Sequence, residues 1–261
     1  MNIIVTGGEG FIGKNLVRKL SNLEHSVLIL DKKSGADVTK HLNGHIWFYE
    51  NIWGTKNIDA LIHLAAIHDV QYAETHEQET FDTNVYGTYN MIQSAIRNKI
   101  PKFIFISSAA VENKQGVYGL TKHLGEEIVK NSGLDYSILR LFNVYGKDGK
   151  GLIGNLVKAR DTETTFKLYG DGKQTRDFIH VDDICEAIIK SIDTKSFTYD
   201  VGTGKSYSVN QVIDIFQQYA SQHHGPIEIE RLLGLKEIRD SKANPVFYKT
   251  KITLEDGLRG I

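Results

Sequence analysis

Short apolar segments alternate with longer segments of mixed polarity up to about residue 147. Each short segment is apolar at successive positions rather than at every second one, which is typical of parallel strands covered by helices on both faces. In the longer segments, apolar residues recur at helical spacing. The pattern predicts strands at 2–7, 26–31, 59–65, 102–108 and 136–143, and helices at 11–22, 80–98 and 119–131.

This regular alternation of strand and helix predicts an α/β protein with a doubly wound parallel sheet, a Rossmann fold. Residues 50–57 are predicted to form a turn or a weak helix. Beyond residue 147 glycine becomes more frequent, and only a helix at 208–220 and a short strand at 226–230 stand out. We therefore expect a second, smaller C-terminal lobe. The predicted domains are a dinucleotide-binding domain, 1–147 plus 177–203, and a substrate-binding lobe, 148–176 plus 204–261.

The composition is that of an ordinary globular protein and narrows the class of partner. The 261 residues carry a formal net charge of −1, so the basic excess of proteins that bind nucleic acid or anionic membranes is missing. Cys185 is the only cysteine, which excludes an intrachain disulfide and a thiolate-rich zinc site, and we expect no metal. No apolar run reaches the roughly 18–20 residues of a membrane span. The chain runs from its first residues into a predicted strand without a basic leader, so we expect a cytoplasmic location.

A glycine-rich segment, VTGGEGFIG, joins the first predicted strand to the first predicted helix and places Gly7, Gly10 and Gly13 three residues apart. Glycine permits a tight turn, close approach of the backbone to a pyrophosphate, and packing of the helix against the strand. The N-terminus of the helix then offers free N–H groups and a positive dipole end to phosphates. The segment therefore predicts a dinucleotide-binding loop.

The second predicted strand ends at Asp31, 18 residues after Gly13. A carboxylate at this position binds both ribose hydroxyls of NAD and repels the 2′-phosphate of NADP. Lys32 and Lys33 follow it and leave NADP open as an alternative. A purely structural turn, with Asp31 capping the strand end, is the other interpretation.

A second candidate site is the segment GVYGLTK, in which Tyr118 precedes Lys122 by one helical turn. The same spacing recurs at Tyr169 and Lys173, but there two glycines and an aspartate interrupt any helix. The first pair is followed by a predicted helix, so both side chains project from one face. By itself, this pair could be either part of an active site or a solvated surface.

Several motifs in order along the chain resemble the extended short-chain dehydrogenase/reductases, in particular the branch that acts on nucleotide-diphosphate sugars. The resemblance runs from residue 2 to about 216 and is weaker at 252–258. The motifs that carry it are TGGEGFIG, HLAA, NVYGT, ISSAAV, YGLTK, RLFNVYG, GDGKQTRDFIHVDDI and YDVGTG.

The resemblance implies that Ser108, Tyr118 and Lys122 are catalytic. A phenol with a pKa near 10 is a poor base at neutral pH, but a neighbouring ammonium and a positive nicotinamide ring stabilise its phenolate. Tyr118 would then take a proton from a sugar hydroxyl, while Ser108 holds the same oxygen and Lys122 also reaches the nicotinamide ribose. The alternatives are a serine that only ends a strand and a solvated Tyr–Lys pair.

The resemblance also implies residues that bind NAD and the substrate. The expected cofactor-binding residues are Gly7, Gly10, Phe11, Ile12, Gly13, Asp31, Lys32, Asp37, Val38, Leu64, Ala65, Ala66, Asn84, Tyr118 and Lys122. Asn143 and Arg176 are expected to contact the nucleotide-diphosphate sugar together with Ser108, since a guanidinium is well suited to bind a diphosphate. Asn84 could instead cap a helix, Arg176 could pair with a nearby aspartate, and His63 is more consistent with a buried structural histidine than with a catalytic one.

Residues that are missing narrow the predicted reaction. Related 4,6-dehydratases carry an Asp–Glu pair, and related decarboxylases a Glu, where this chain has Ala109 and Ala110, which transfer no protons. Inversion at C3 or C5 needs a further acid/base pair, usually including Cys, and Cys185 lies in another segment. The remaining expectation is a 4-epimerase that acts through a transient 4-keto sugar. A 4-keto reductase using NADPH and a non-catalytic NAD-sensing module are the alternatives.

The chain departs from the family pattern in two places. The segment VEN (111–113) stands where the family has VYG, and the loop between Ser108 and Tyr118 is short. A second arginine for the diphosphate could be Arg231 or Arg239. The resemblance further implies a homodimer through the helices near 84–98 and 119–131.

Overall fold

A computed structural model describes residues 1–40, 57–112, 116–220, 226–232 and 240–261. The predicted turn or weak helix at 50–57 lies outside the described residues except for its last position. Within the described parts the chain forms two compact units. The first comprises Met1–Arg140 and Cys185–Tyr199, and the second comprises Leu141–Ile184 and Asp200–Ile261. Residues 141–147, 177–184 and 200–203, which we expected in the dinucleotide-binding domain, thus group with the second unit.

Strands and helices alternate along the first part of the chain. They are β1 (Asn2–Thr6), α1 (Phe11–Asn22), β2 (Ser26–Leu30), β3 (Ala60–His63), α2 (Val70–Thr75), α3 (Glu77–Phe81), α4 (Gly87–Arg97), β4 (Lys102–Ser108), α5 (Gly116–Lys130), β5 (Asp135–Leu141) and β6 (Asn143–Tyr145). A π-helical segment, Asp82–Tyr86, joins α3 to α4, and short 3₁₀ turns follow β2 and β4.

The rest of the chain has shorter strands. It contains α6 (Gly151–Asp161), β7 (Phe166–Tyr169), β8 (Thr175–Arg176), β9 (Phe178–His180), α7 (Val181–Lys190), β10 (Phe197–Val201), β11 (Tyr207–Ser208), α8 (Val209–Ala220), β12 (Ile229–Leu232) and α9 (Leu254–Arg259).

The first unit is built on a six-stranded sheet in the order β10-β5-β4-β3-β1-β2. The β1 strand pairs in parallel with both β2 and β3, and β3 pairs in parallel with β4. The doubly wound α/β prediction is therefore confirmed. After β1 the chain adds β2 on one side of it and then crosses over to add β3 on the other side. In such folds ligands bind in the crevice at the carboxyl ends of the strands where the strand order reverses, here β1 and β3.

The successive apolar residues that predicted the strands form the core of this unit. Ile4, Leu61 and Phe103 are fully buried on adjacent strands, and Met91 and Ala95 of α4 pack against the same cluster. Complete burial of a large aliphatic or aromatic side chain contributes roughly 1.5–3 kcal/mol. Burial on both faces explains why these segments show no polar alternation.

The second unit consists of helices and two-stranded sheets. In these sheets β6 pairs with β9 and β12 with β7 in parallel, whereas β11 pairs with β8 antiparallel. Two buried carboxylates tie its loops together. Asp177 accepts hydrogen bonds from the backbone N–H groups of Thr203, Gly204 and Ala243, and Asp183 accepts from the Tyr248 hydroxyl and from two backbone N–H groups.

Several element boundaries differ from the sequence predictions, three of them in segments that carry candidate site residues. The helix predicted at 80–98 is instead α3, the π-helical segment and α4. The strand predicted at 136–143 ends at Leu141, because Asn143 begins β6 and pairs with Phe178 in a different sheet. The helix predicted to begin at 119 begins at Gly116 and so contains Tyr118.

Candidate active site

The glycine-rich loop after β1 is shaped by two glycines that have no room for a side chain. Gly7 has a φ of +70°, and a Cβ on it would lie 2.8 Å from the backbone nitrogen of Ala65, just beyond β3. A Cβ on Gly13 would lie 2.2 Å from the carbonyl oxygen of Gly7. The loop therefore contacts both the segment after β3 and the first turn of α1, at the point where the strand order reverses.

The N-terminus of α1 is open for an anion. Gly10 is its N-cap and supplies no side-chain oxygen to the first N–H groups of the helix. Phe11, Ile12 and Gly13 form this first turn, and no acidic residue lies in it. Free N–H groups and a positive dipole end favour a phosphate at this position.

Asp31 lies at the end of β2 and contacts the glycine-rich loop directly. One carboxylate oxygen accepts a hydrogen bond of 3.0 Å from the Glu9 backbone N–H, and the other accepts one of 3.0 Å from the Lys33 backbone N–H. The side chain thus caps the following 3₁₀ turn and at the same time lies beside the loop. A carboxylate accepts more than two hydrogen bonds, so this position remains suitable for ribose hydroxyls.

Farther along the same edge, Lys32 and Asp37 border a pocket of about 380 Å³. The Lys32 ammonium lies 3.5 Å from the Glu79 carboxylate, and Asp82 also lines the pocket. Burial raises the pKa of Asp37, but hydrogen bonds from Thr39 and the charge of Lys32 outweigh it and hold this pKa below its ordinary value. The surroundings of Lys32 are therefore predominantly acidic.

Asn84 holds the segment after β3, where Leu64, Ala65 and Ala66 lie. Its amide oxygen accepts from the Ile67 backbone N–H at 2.8 Å, and its amide nitrogen donates to the Ile67 carbonyl at 2.9 Å and to the Thr121 hydroxyl at 3.1 Å. Both amide hydrogens are thus used within the protein. Asn84 joins the π-helical segment, this loop and α5, which carries Tyr118. Val38 is held similarly, since its carbonyl accepts from the Asn90 side chain.

His63 is a buried structural residue, as the sequence favoured. Its Nδ1 lies 2.7 Å from the Thr6 hydroxyl and its Nε2 lies 3.1 Å from the Thr88 hydroxyl. Since Thr88 donates its own hydrogen to the Asn84 carbonyl, it accepts from Nε2, and Nδ1 accepts from Thr6. Burial and the nearby Lys122 lower the pKa of His63 to about 3, so the ring is neutral.

Ser108 and Tyr118 come together at the carboxyl end of β4. Ser108 is the last residue of the strand, and its side chain accepts a hydrogen bond from the Ala110 backbone N–H at 3.2 Å. Its hydroxyl also lies beside the Tyr118 phenol. Burial raises the pKa of Tyr118, and the interaction with Ser108 lowers it by less, so the net change is upward. The structure thus brings both residues together but does not itself make the phenol acidic.

Lys122 lies one turn beyond Tyr118 on α5 and is 4% exposed. Its ammonium is 4.7 Å from the centre of the Phe105 ring of β4, a cation–π contact. Burial lowers the pKa of Lys122 to about 8, and the charge of Glu126 opposes this change. Lys122 is therefore part of a buried site and not of a solvated surface.

In the second unit, Asn143 and Arg176 line one pocket of about 390 Å³. The Asn143 side chain donates to the Asp177 carbonyl at 3.1 Å and to the Ser241 hydroxyl at 3.3 Å. Arg176 donates to the Thr175 carbonyl, while the Asp177 carboxylate is occupied by the loops it holds. Burial lowers the pKa of Arg176, and the charge of Asp240 opposes this change.

Two exposed lysines, Lys150 and Lys167, line the same pocket together with Gln174 and two tyrosines. The pocket therefore contains three cationic side chains, which suits an anionic ligand. Of the two arginines proposed for a second diphosphate contact, Arg231 binds the Asp171 carbonyl and the Asn210 side chain, and Arg239 lies outside the described residues.

Sequence reasoning missed the residues that support Tyr118 and Lys122. Glu126 of α5 binds Ser107 and Arg140, and Glu74 of α2 accepts a hydrogen bond of 2.7 Å from the Val117 backbone N–H at the start of α5. The helical spacing of Lys122 and Glu126 could have indicated the first group. No sequence signal indicates Glu74, which is 43 positions from its partner.

The described residues contain no cluster of metal-ligating side chains. None of the helices described here is long and apolar enough to cross a membrane.

Comparison with known proteins identifies one family and several relatives. The profile described as NAD-dependent epimerase/dehydratase matches residues 3–202. A UDP-N-acetyl-alpha-D-glucosaminuronate decarboxylase of Bacillus cytotoxicus is 32% identical, over 98% of this chain and 95% of its own. A UDP-glucose 4-epimerase of Halalkalibacterium halodurans is 31% identical, over 88% of this chain and 83% of its own.

Among solved structures, the UDP-glucose 4-epimerase from Bifidobacterium longum in complex with NAD+ and UDP matches with a TM-score of 0.82 and 25% identity, over 100% of this chain and 96% of that chain. The alignment with the Bacillus decarboxylase runs over 305 residues and is therefore longer than this chain of 261. It must therefore open gaps within this chain.

Proposed function

The chain belongs to the NAD-dependent epimerase/dehydratase family, and we propose that it is an NAD-dependent nucleotide-diphosphate-sugar 4-epimerase. One observation carries this proposal. Ser108 ends β4 beside the Tyr118 phenol, whose pKa it lowers, and the buried Lys122 follows one helical turn after Tyr118. The β4 strand, which ends at Ser108, lies in the same sheet as β1, which precedes the glycine-rich loop.

The first unit fits a dinucleotide. Gly7 and Gly13 let the loop pack closely against the segment after β3 and the first turn of α1. That turn offers N–H groups to the pyrophosphate, and Asp31 offers carboxylate oxygens to the adenosine ribose. Glu79 beside Lys32 offsets the cation that would favour a 2′-phosphate, which supports NAD over NADP. When bound, NAD supplies the acceptor for the hydride of the sugar C4 and a positively charged nicotinamide ring.

Tyr118 is the proposed base. It takes the proton of the C4 hydroxyl while Ser108 hydrogen-bonds the same oxygen, and C4 becomes a carbonyl. Since burial raises the pKa of Tyr118, the phenolate requires nearby positive charge, and Lys122 is the cation that the chain supplies. Return of the proton from Tyr118 to the sugar oxygen, with hydride addition to the opposite face, gives the C4 epimer and restores the enzyme.

The pocket of the second unit is the proposed site of the nucleotide diphosphate. Arg176, Lys150 and Lys167 offer three positive charges there. A guanidinium binds phosphate oxygens in a bidentate manner. The Bifidobacterium structure contains UDP, which supports a uridine nucleotide as the first candidate.

The segment after Ser108 supports epimerisation over dehydration or decarboxylation. Ala109 and Ala110 form the 3₁₀ turn there, and neither provides a group that transfers protons. The alternative of a 4-keto reductase uses the same three catalytic residues once. It is favoured only by the exposed Lys32, which could accept the phosphate of NADPH.

We further propose that the protein is a homodimer through α4 and α5. Tyr86 and Tyr89 stack with ring centres 6.3 Å apart, and both are nearly half exposed, as are Ile96 of α4 and Leu120 of α5. Large exposed apolar side chains on neighbouring helices are typical of an interface. Light scattering should give twice the mass of the chain for the wild type and the monomer mass for Tyr89→Glu.

The test of the function is turnover of a panel of UDP-, GDP- and dTDP-sugars followed by NMR. We expect inversion at C4 of at least one sugar, protein-bound NAD, and no net change in absorbance at 340 nm. Tyr118→Phe should lower kcat by about 10²–10⁴-fold, because proton transfer by a positioned side chain contributes that much. Consumption of NADPH in step with product would support the reductase instead, and unchanged activity of Tyr118→Phe would refute the assigned base.

A further inference from the structure

Glu126 is a fully buried carboxylate on the helix that carries Tyr118 and Lys122. One oxygen accepts hydrogen bonds from the Ser107 hydroxyl at 2.7 Å and from Arg140 Nε at 2.8 Å. The other accepts from an Arg140 terminal nitrogen at 2.7 Å, and the Lys130 ammonium lies 3.6 Å away. Arg140 thus binds the carboxylate with two parallel hydrogen bonds, which is the strongest geometry available to this pair.

These partners keep Glu126 ionised. Burial raises the pKa of Glu126, but hydrogen bonds from Arg140 and Ser107 and the charges of Arg140 and Lys130 outweigh it, and the net change is downward. A buried ion pair is weak evidence for stability, because removing two charges from water costs several kcal/mol per ion. Stability of the fold alone therefore does not account for a charged carboxylate at this buried position.

The spacing along α5 places Glu126 and Lys122 on the same face of the helix. Residues four apart on an α-helix lie on one face with Cβ atoms roughly 6 Å apart. The groups around the Lys122 ammonium come from three elements: the Phe105 ring on β4, the neutral His63 on β3, and Glu126 on α5 itself. Of these, Glu126 is the anion.

The strand beneath the helix links this carboxylate to the proposed reaction centre. Ser107 donates a hydrogen bond to Glu126, and the next residue, Ser108, lies beside the Tyr118 phenol. The end of β4 therefore contacts α5 at two places, and Lys122 lies between them in sequence.

We propose that Glu126, held ionised by Arg140 and Ser107, is a positioning residue that keeps the Lys122 ammonium protonated and fixed on the face of α5 that it shares with Tyr118. The catalytic importance of Lys122 rests on the proposed function, but the electrostatic link between Glu126 and Lys122 does not. Burial alone would drive Lys122 toward its neutral form, and a neutral amine could not stabilise the Tyr118 phenolate.

The link can be tested without turnover by titrating the Lys122 amine by NMR, with Lys122→Met to assign its signal. The wild-type amine should titrate near pH 8. Glu126→Gln should lower that midpoint by about one pH unit or more, since an opposing charge is removed. Arg140→Gln should raise the Lys122 midpoint. Glu126 stays ionised through Ser107 and Lys130, and without the positive charge of Arg140 its negative charge acts more strongly on Lys122. The matched control is Glu127→Gln, the adjacent exposed carboxylate that pairs with Lys130.

Opposite shifts in Glu126→Gln and Arg140→Gln support the proposal, whereas a merely structural role predicts no such reversal. Equal midpoints in all variants, or shifts in one direction for both, overturn it. If Glu126→Gln does not fold, Arg140→Gln decides alone: a raised Lys122 midpoint supports the proposal, and an unchanged or lowered midpoint overturns it. In an active preparation, kcat of Glu126→Gln should fall above the lowered midpoint with KM unchanged. Shifts without turnover of any sugar by the wild type would support the link and refute the proposed function.

Discussion

The two units hold their functional side chains in opposite ways. In the first unit Lys122 and Glu126 are 4% and 0% exposed, and the polar groups around them are hydrogen-bonded to each other. In the second unit Lys150 and Lys167 face solvent, and Arg176 is half-buried. A buried polar group loses hydrogen bonds if it moves away from its partners, so the surrounding protein sets its position and its protonation state. An exposed cation can bind a ligand from solution, but salt screens its charge.

Together with the proposed function, this difference predicts separate roles for the units. Changes in the first unit should alter cofactor retention and kcat, while changes in the second should alter KM for the nucleotide sugar and its dependence on salt. Each of the following predictions tests that division.

The largest effect is expected from two glycine substitutions that are equally crowded but lie in different units. Gly13→Ala places a Cβ 2.2 Å from the Gly7 carbonyl, and Gly257→Ala places one 2.1 Å from the Tyr145 phenol oxygen. Gly13→Ala should abolish NAD retention, because α1 must move away from the loop. Gly257→Ala should lower the melting temperature but leave bound NAD intact. Absorbance measures the NAD that each variant retains, and calorimetry measures its melting temperature. Loss of NAD from both variants would contradict the separate roles of the two units.

Arg176→Gln should raise KM for the nucleotide sugar by roughly 10–100-fold with kcat nearly unchanged, because hydrogen bonds to charged groups contribute about 1.5–3 kcal/mol. Its KM should also depend less on salt than that of the wild type. Arg231→Gln is the matched control, since Arg231 is already bound to Asp171 and Asn210. Steady-state kinetics at two ionic strengths would decide, and a fall in kcat with constant KM would count against the assignment.

We expect kcat to depend on pH above the pKa of Lys122 and KM to be independent of it. Burial lowers the pKa of Lys122 to about 8, so its ammonium is present below this pH and is lost as the pH rises through it. We expect kcat to fall about tenfold per pH unit beyond that point. The KM should stay level, because Arg176 remains charged throughout. In Lys122→Arg the charge persists at high pH, and the descending limb near pH 8 should disappear; a limb that persists would implicate another group.

The smallest effect is expected at Glu74, which supports α5 from another helix. Its carboxylate accepts from the Val117 N–H, so Glu74→Ala removes a cap worth about 1 kcal/mol at the turn that contains Tyr118. We expect a fall in kcat of a few fold at constant KM. Glu74→Gln retains an acceptor oxygen and should lose less. Equal losses in the two variants would show that the charge of Glu74, and not its hydrogen bond, supports the site.

Much of the fold was predictable because it depends on local patterns. Continuous apolar segments predicted β1 to β5, and glycine spacing predicted the loop before α1. The π-helical segment at Asp82–Tyr86 was not predicted, since Asn84 is fixed there by Ile67 and Thr121, which are distant in sequence. Similarly, Asn143 directly follows the apolar residues at the end of the strand predicted at 136–143, but it pairs with Phe178 in a sheet of the second unit.

The sequence by itself determined the order of the elements, the open turn before α1 and the placement of Tyr118 and Lys122 on one helical face, because each depends on residues within a few turns or one strand of each other. Only the tertiary structure decided which polar groups are buried together. Glu126 meets Ser107 and Arg140 across 19 and 14 positions, and the pKa of Lys122 follows from that enclosure. A protonation state depends on every charge and every excluded water around a group, and these come from segments that only folding brings together.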